Sequence, residues 1–216
     1  MYIKEIWRFP VKSAAGERIE RATISPMGIE GDRIAHVRGP EGHMLTSRTH
    51  HRLLRLHGTL DARGESLVDG HPWNSDAARE LVERAAGAGA RLVSYTGPKR
   101  FDVLPLLVAT DGALAAFSHD GRRLRYNILV GGVPGMAERG WPGKFLRTGG
   151  VVIGVQDLRA RCVMTTYDPD TLKQSVNVLR EIVEKFEGEL ALNCFVVRGG
   201  QIREGDAVEL ASEPGN

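Results

Sequence analysis

Short runs of apolar and β-branched residues, interrupted by glycine and proline, dominate the hydrophobic pattern of this chain. Such runs predict strands rather than helices, because they are too short for an amphipathic helix and are bounded by turn residues. The predicted strands cover residues 2–9, 18–25, 32–38, 43–47, 53–60, 90–95, 104–110, 125–130, 151–155, 190–197 and 205–210. Many short strands joined by tight turns are typical of a β-barrel or a related all-β architecture.

Three segments instead carry helical patterns. Residues 76–86 and 172–186 place their apolar side chains three and four positions apart, and residues 112–117 form a shorter candidate. Asp170 or Thr171 is the predicted N-cap of the long second helix. A few helices among many strands predict a β-rich α+β protein, built on a barrel.

A linker is predicted at residues 97–100, where a glycine precedes a proline and two basic residues. It divides the chain into a first part over residues 1–97 and a second part over residues 98–211. Residues 212–216 are predicted to be a loose tail. The 216 residues are enough for one large domain or two small ones, each with its own core.

Composition excludes several classes of function. A net charge of +2 is too balanced for a nucleic-acid-binding surface. The first seven residues lack the apolar core of a secretory signal, and no apolar run is long enough to span a membrane. Two cysteines do not form a disulfide framework in a chain of this length. We therefore expect a cytoplasmic protein without a nucleic acid or membrane partner.

The chemistry of the chain centres on Cys162, which follows Arg159 and Arg161. Two nearby guanidinium groups would lower the pKa of a thiol and favour the thiolate, which attacks electrophiles or binds a soft metal. The Asp-Pro-Asp-Thr segment that follows predicts a turn and a helix cap, so that the cysteine precedes a helix. The local sequence also fits a small buried side chain. That structural interpretation holds for Cys194, which has apolar neighbours.

Other polar residues could bind an anion. Lys12 and Ser13 share a predicted loop, where an ammonium and a hydroxyl can both donate to phosphate oxygens. Arg33 opens a predicted strand with a guanidinium suited to bidentate binding. Arg125 and Asn127 are two residues apart, so they are expected on one side of a strand. Each of these residues, taken alone, is more often a solvated surface residue. The five histidines between residues 36 and 57 match no usual zinc-ligand spacing.

Taken together, seven short segments occur in an order that resembles a known family, and they span nearly the whole chain. They run from Phe9 to Ser13, Gly28 to Arg33, Leu45 to Arg48, Arg125 to Ile128, Trp141 to Gly143, Arg161 to Thr171 and Gly200 to Val208. The set resembles the MOSC family, named for the C-terminal domain of molybdenum cofactor sulfurase, together with that family's N-terminal β-barrel domain. The nearest functional model is the amidoxime-reducing branch.

The resemblance implies a site for the molybdenum cofactor (Mo-molybdopterin) between the two parts, with Cys162 as the metal ligand and catalytic residue. The other residues that it implies for cofactor binding are Lys12, Ser13, Arg33, Thr110, Asp111, Arg125, Asn127 and Arg161. It also implies pyridoxal phosphate binding, which is associated with the family. The implied activity is reduction of small N-hydroxylated compounds, with electrons from separate ferredoxin- or flavin-type proteins.

Three hypotheses remain open at the level of sequence. The first is the molybdenum-dependent reductase with Cys162 as metal ligand. The second is a sulfur carrier that holds a persulfide on Cys162, which a thiolate flanked by arginines suits equally well. The third is a non-enzymatic module that binds the cofactor without turnover.

Overall fold

The protein is described here from a computed structural model, which covers residues 1–215. Seventeen strands and three helices confirm the predicted β-rich α+β class. The first ten strands are β1 (Tyr2–Arg8), β2 (Glu17–Ile19), β3 (Arg21–Ser25), β4 (Gly28–Ile29), β5 (Ala35–Arg38), β6 (Met44–Leu45), β7 (Gly58–Leu60), β8 (Ser66–Val68), β9 (His71–Pro72) and β10 (Arg91–Ser94). The others are β11 (Leu106–Thr110), β12 (Ile128–Gly131), β13 (Phe145–Thr148), β14 (Val151–Ala160), β15 (Glu189–Arg198), β16 (Gly200–Arg203) and β17 (Glu209–Ala211). The helices are α1 (Asp76–Ala86), α2 (Asp111–Phe117) and α3 (Val176–Phe186).

Eight strands form the largest sheet, in the order β17-β13-β14-β15-β11-β12-β1-β2. Its pairs are antiparallel except for β11 and β12, which run parallel with α2 between them in the chain. Three smaller sheets have the orders β10-β5-β6, β16-β3-β4 and β7-β8-β9. Within residues 1–215 the strand pairing leaves each of the four sheets open rather than closing it into a complete ring.

Strands from both predicted parts share the same sheets. β1 pairs with β12, and β3 pairs with β16, so the N-terminal strands lie against strands from the second part. A core of buried aliphatic side chains, among them Ile6, Val108 and Leu192, fills this junction. A site between the two parts is therefore held by paired strands. The predicted boundary at residue 97 stays a prediction.

Residues 53–60 do not form the single strand predicted from their apolar content. His51–Arg55 is a 3-10 helix, and only Gly58–Leu60 pairs as a strand. The physical reason is the three-residue spacing of Leu53 and Leu56, both of which are buried in the core of the first part. A short apolar run fits either conformation, and tertiary packing decides between them.

The N-terminus of α3 also differs from the prediction, because α3 begins at Val176 and not at Leu172. Asp168 accepts hydrogen bonds from the backbone N–H groups of Asp170 and Thr171, at 3.2 and 2.9 Å. These bonds make a tight turn instead of a helix cap, and Leu172 follows with a left-handed φ of 58°. By contrast, α1 has its predicted bounds, and Ser75 caps it by accepting from Ala78 N.

No helix within residues 1–215 combines the length and the apolar content needed to cross a lipid bilayer. The predicted tail over residues 212–216 ends at Asn216, which lies outside the described residues.

Candidate functional site

Residues of both predicted parts line a cleft that contains Cys162; we call it the Cys162 cleft. It encloses a cavity of about 110 Å³. Six of the nine predicted site residues line it, namely Lys12, Ser13, Arg33, Arg125, Arg161 and Cys162. The fold thus brings together side chains that are up to 150 residues apart in the sequence.

The end of β14 positions Cys162. The strand stops at Ala160, and Cys162 is still extended when it enters a 3-10 turn over residues 163–166. The N–H and the hydroxyl of Thr165 both donate to the carbonyl oxygen of Cys162, at 3.1 and 2.9 Å, and fix its backbone. Cys162 is solvent-exposed, whereas Cys194 is fully buried in the main core, where burial raises the pKa of its thiol. Cys162 is therefore the accessible thiol of the two.

A loop between β1 and β2 carries Lys12 and Ser13. Lys12 N donates to the carbonyl of Ala35 at 2.8 Å, which ties the loop to β5, and Ser13 has a left-handed φ of 73°. The Lys12 side chain is almost fully buried, and its Nζ donates to the carbonyl of Arg100 and to Asp102 Oδ1, each at 2.7 Å. Burial lowers the pKa of Lys12, and Asp102 only partly offsets this effect.

Asp102 is the one carboxylate that lines the Cys162 cleft within residues 1–215. Besides Lys12, it accepts a hydrogen bond from Arg48 Nη2 at 2.8 Å, and Arg159 Nη2 lies 3.9 Å away. Burial alone would raise the pKa of Asp102, but these cations outweigh burial and lower it. The field of Asp102 raises the pKa of Arg48 and outweighs the opposing effect of burial. Arg48 and Cys162 both line the cleft.

Positive charge is in large excess in this cleft. Its basic lining residues are Lys12, Arg33, Arg48, Arg123, Arg125, Arg159 and Arg161. Arg33 has a neighbouring carboxylate in the buried Asp32, with which it forms an ion pair, and Arg123 pairs with Asp168 at 2.9 Å. Lys12, Arg48 and Arg159 share Asp102 as their carboxylate partner. Arg125 and Arg161 have no acidic partner among the described residues. Such an excess favours an anionic ligand.

Two of the lining arginines, Arg125 and Arg161, are half-buried. Arg125 has a left-handed φ of 56°, and its Cζ lies 4.5 Å from the centre of the Phe9 ring. Burial and, secondarily, the field of Arg33 lower the pKa of Arg125 to about 9. Burial lowers the pKa of Arg161 to about 10. Arg161 Nη2 donates to Leu124 O at 2.8 Å, but its Nε and Nη1 have no hydrogen-bond partner in the part of the chain that the structure describes.

Unpartnered buried guanidinium nitrogens are costly, because they have lost water without gaining an acceptor. An anion in the cleft would supply that acceptor. The donor set fits the phosphate of a pterin cofactor, which needs Lys, Arg and hydroxyl donors, and the accessible Cys162 thiol fits a soft metal. The residues that are present therefore match the cofactor that the sequence implies.

Asn127, predicted beside Arg125, does not line the Cys162 cleft. Its Oδ1 accepts from Leu107 N and its Nδ2 donates to Trp7 O, both at 3.2 Å, so its amide joins β11 to β1. The two residues do not share one face of a strand as predicted, because Arg125 is left-handed and β12 begins only at Ile128. The φ of Arg125 turns the chain before the strand begins.

Thr110 and Asp111 also lie outside the residues that line the cleft, at the junction of β11 and α2. Thr110 Oγ1 accepts from Ala113 N, which caps α2, and donates to Glu138 Oε2, each at 3.1 Å. Asp111 accepts from the N–H groups of Gly132 and Val133 at 2.9 and 3.0 Å. These contacts, which hold the loop after β12 to α2, occupy both side chains.

Sequence reasoning assigned no role to Arg48 or Asp102. Arg48 belongs to one of the segments that carry the family resemblance, so that segment was the available signal. Asp102 has no such signal. Within residues 1–215 no group of three or more His, Cys, Asp or Glu side chains could hold a metal ion. Cys162 is the one thiol that lines this cleft within residues 1–215.

Two family models match this chain. Residues 1–99 match the MOSC N-terminal beta barrel domain, and residues 110–209 match the MOSC domain. The chain therefore belongs to the MOSC family, in the form that combines both domains, and the resemblance inferred from the sequence motifs is confirmed.

Individual relatives are distant. The chain is 24% identical to human mitochondrial amidoxime reducing component 2, over 95% of this chain and 82% of that protein. It is 23% identical to human mitochondrial amidoxime-reducing component 1, over 78% and 67%. A crystal structure of the YUAD protein from Bacillus subtilis superposes with a TM-score of 0.55 over 98% of this chain and 96% of that one. At 14% identity, the last match shows a shared fold only.

Proposed function

We propose that this protein is a molybdenum-cofactor-dependent oxidoreductase that reduces small N-hydroxylated compounds. The observation that carries the proposal is the accessible Cys162 thiol in a cleft with surplus, partly unpartnered guanidinium groups. The distant likeness to the two human amidoxime-reducing components supports the choice of substrate. When bound, the cofactor would supply the two-electron chemistry that removes oxygen from nitrogen.

The thiol and the basic side chains of the cleft would bind different parts of the cofactor. Cys162 would provide a thiolate ligand to the metal. Lys12, Ser13 and Arg33 from the first part, and Arg125 and Arg161 from the second, would donate to the phosphate or pterin. Electrons would come from a separate ferredoxin- or flavin-type protein.

Metal analysis tests this proposal. Protein from a host that makes the cofactor is expected to contain about one molybdenum atom per chain, because each chain offers one thiol at the cleft. Cys162→Ala should abolish both the metal content and the reduction of benzamidoxime by a chemical electron donor. Cys194→Ala is the matched control, because it removes the buried thiol and should retain molybdenum. Folded wild-type protein that carries no molybdenum would falsify the proposal.

The exposure of Cys162 also favours a second candidate, in which the thiol carries a persulfide. Incubation with polysulfide, which transfers one sulfane sulfur to the thiolate and leaves shortened by one sulfur atom, should then add one sulfur to wild-type protein and none to Cys162→Ala, as measured by mass spectrometry. An unchanged wild-type mass contradicts this candidate. Bound molybdenum without any turnover would instead support a cofactor-binding module.

A further inference from the structure

A second and larger cavity, of about 370 Å³, lies beside the Cys162 cleft; we call it the aromatic cavity. The two cavities share Arg123, Arg125 and Met164 as lining residues. The aromatic walls of the larger one are Trp7, Phe9, Tyr126 and Tyr167. Its volume is within the range of small-molecule sites.

The aromatic walls are held in place by polar contacts. Glu5 Oε2 accepts hydrogen bonds from Trp7 Nε1 at 2.8 Å and from the Tyr126 hydroxyl at 2.9 Å, so one carboxylate fixes two rings. Tyr167 stacks on His51, with the ring centres 5.2 Å apart and the planes 6° from parallel. Flat rings that are fixed before binding favour a flat ligand, since little side-chain freedom is lost when it binds.

The electrostatics of the aromatic cavity favour a negative charge on that ligand. Of its lining arginines, Arg122 pairs with Asp120 and Asp170, at 2.6 and 2.7 Å, and Arg123 pairs with Asp168 at 2.9 Å. Two cations and three carboxylates leave one negative charge there, which the two remaining lining arginines outweigh. Arg55 and Arg125 have no carboxylate oxygen within 4 Å among the residues that the structure describes. Arg125 is also half-buried, so an anion near it would be less screened than one at a fully exposed arginine.

We infer that the aromatic cavity binds a small planar aromatic acid, with its ring among the aromatic walls and its carboxylate attracted by Arg55 and Arg125. Guanidinium groups suit this ligand because they bind carboxylates in a bidentate manner and also stack on rings. A molecule bound there would lie next to the Cys162 cleft, with Met164 in the shared wall. The inference depends on this cavity and not on molybdenum.

Calorimetric titration with 2-naphthoate and with its neutral analogue 2-naphthamide tests the inference on protein prepared without the cofactor. The acid is expected to bind about tenfold more tightly than the amide, because only the acid is attracted by the guanidinium groups. Arg55→Gln should weaken naphthoate binding roughly threefold to tenfold and leave naphthamide binding unchanged.

Arg52→Gln is the matched control, since Arg52 lies on the same 3-10 helix but does not line the aromatic cavity. It should bind naphthoate as the wild type does. Equal affinity for the acid and the amide, no binding of either, or an equal loss in both variants would overturn the inference. Naphthoate binding by protein that never takes up molybdenum would leave this inference standing and refute only the proposed reductase.

Discussion

Replacement of Asp102 by asparagine should tighten anion binding in the Cys162 cleft. The Asp102 carboxylate holds Lys12 Nζ and Arg48 Nη2 at 2.7 and 2.8 Å, and it is the acidic group that lines the cleft within residues 1–215. It therefore competes with any anionic ligand for the same donors. Asparagine keeps the shape and one acceptor oxygen but removes the charge, so both donors become available to the ligand.

The size of the effect follows from the burial of the groups. Two unit charges 4 Å apart interact by about 4 kcal/mol at an effective dielectric constant of about 20, whereas exposed pairs contribute only about 0 to 1 kcal/mol. The Lys12 side chain is 10% exposed and those of Asp102 and Arg48 are 38% and 46% exposed, so these pairs fall between the limits. A gain of about 1 to 2 kcal/mol, or roughly 5- to 30-fold in affinity, is expected.

Calorimetric titration with inorganic phosphate at pH 7 and low salt measures this change, since low salt limits screening of the charges. Asp76→Asn is the control, because it removes the same charge from an exposed pair with Arg79 on α1. It should leave phosphate affinity unaltered. The reasoning fails if Asp102→Asn binds phosphate no more tightly than the wild type, or if the control gains as much.

The same substitution should reduce stability in a pH-dependent manner. Because the pKa of Asp102 is lowered on folding, its carboxylate stabilises the protein above the unfolded value of 3.8. That contribution is lost as the pH falls through the lower, folded pKa. The difference in free energy of unfolding between wild type and Asp102→Asn should therefore be constant near neutral pH and shrink below 3.8. Urea unfolding at a series of pH values measures it, and a gap that widens in acid would contradict the assignment.

Two further substitutions test the packing that supports the site, by urea unfolding. Gly112→Ala would place a methyl group against the backbone carbonyl of Gly135, and overpacking of this kind should cost about 1 to 3 kcal/mol. Gly140→Ala is the control, because its added methyl meets no atom within 4 Å, and it should lower the free energy of unfolding clearly less. Equal losses of stability in the two variants would contradict the clash at Gly112. Ile182→Ala on α3 should cost about 2 to 5 kcal/mol, because the side chain is fully buried. Val183→Ala, at a 58% exposed position, should stay within about 0.5 kcal/mol, and a larger loss would show that this face is covered.

Elements with one unambiguous pattern are predictable from this sequence. The strand near residues 2–9 and the helix over residues 76–86 are observed close to their predicted bounds, because alternation, caps and breakers agree there. Two of the errors fall where two structures satisfy the same local pattern. His51–Arg55 is a 3-10 helix because its leucines are needed in the core, and α3 starts late because Asp168 binds the backbone of a turn.

The candidate site shows the same limit at the level of side chains. The basic residues and Cys162 were identifiable from short segments, and the fold brings six predicted residues to one cleft. What sequence could not show is how each polar group is used. Asn127 could bind a cofactor by its chemistry, but its amide is hydrogen-bonded to the backbone of Leu107 and Trp7 instead. Asp102 lies in a segment without a motif, and only the tertiary structure places it against Lys12.

The arginines of the Cys162 cleft discriminate between functions more sharply than the thiol does. An exposed cysteine suits metal binding, persulfide formation and no chemistry at all. A buried guanidinium with unpartnered nitrogens, as in Arg161, lowers stability unless an acceptor arrives, and a core of apolar residues would be the more stable alternative. The fold also keeps Arg125 half-buried without a carboxylate partner in the described residues, and this desolvation lowers the pKa of its guanidinium. Charge that disfavours the unliganded protein is expected where a ligand must be held, so an anion-binding role accounts for these arginines.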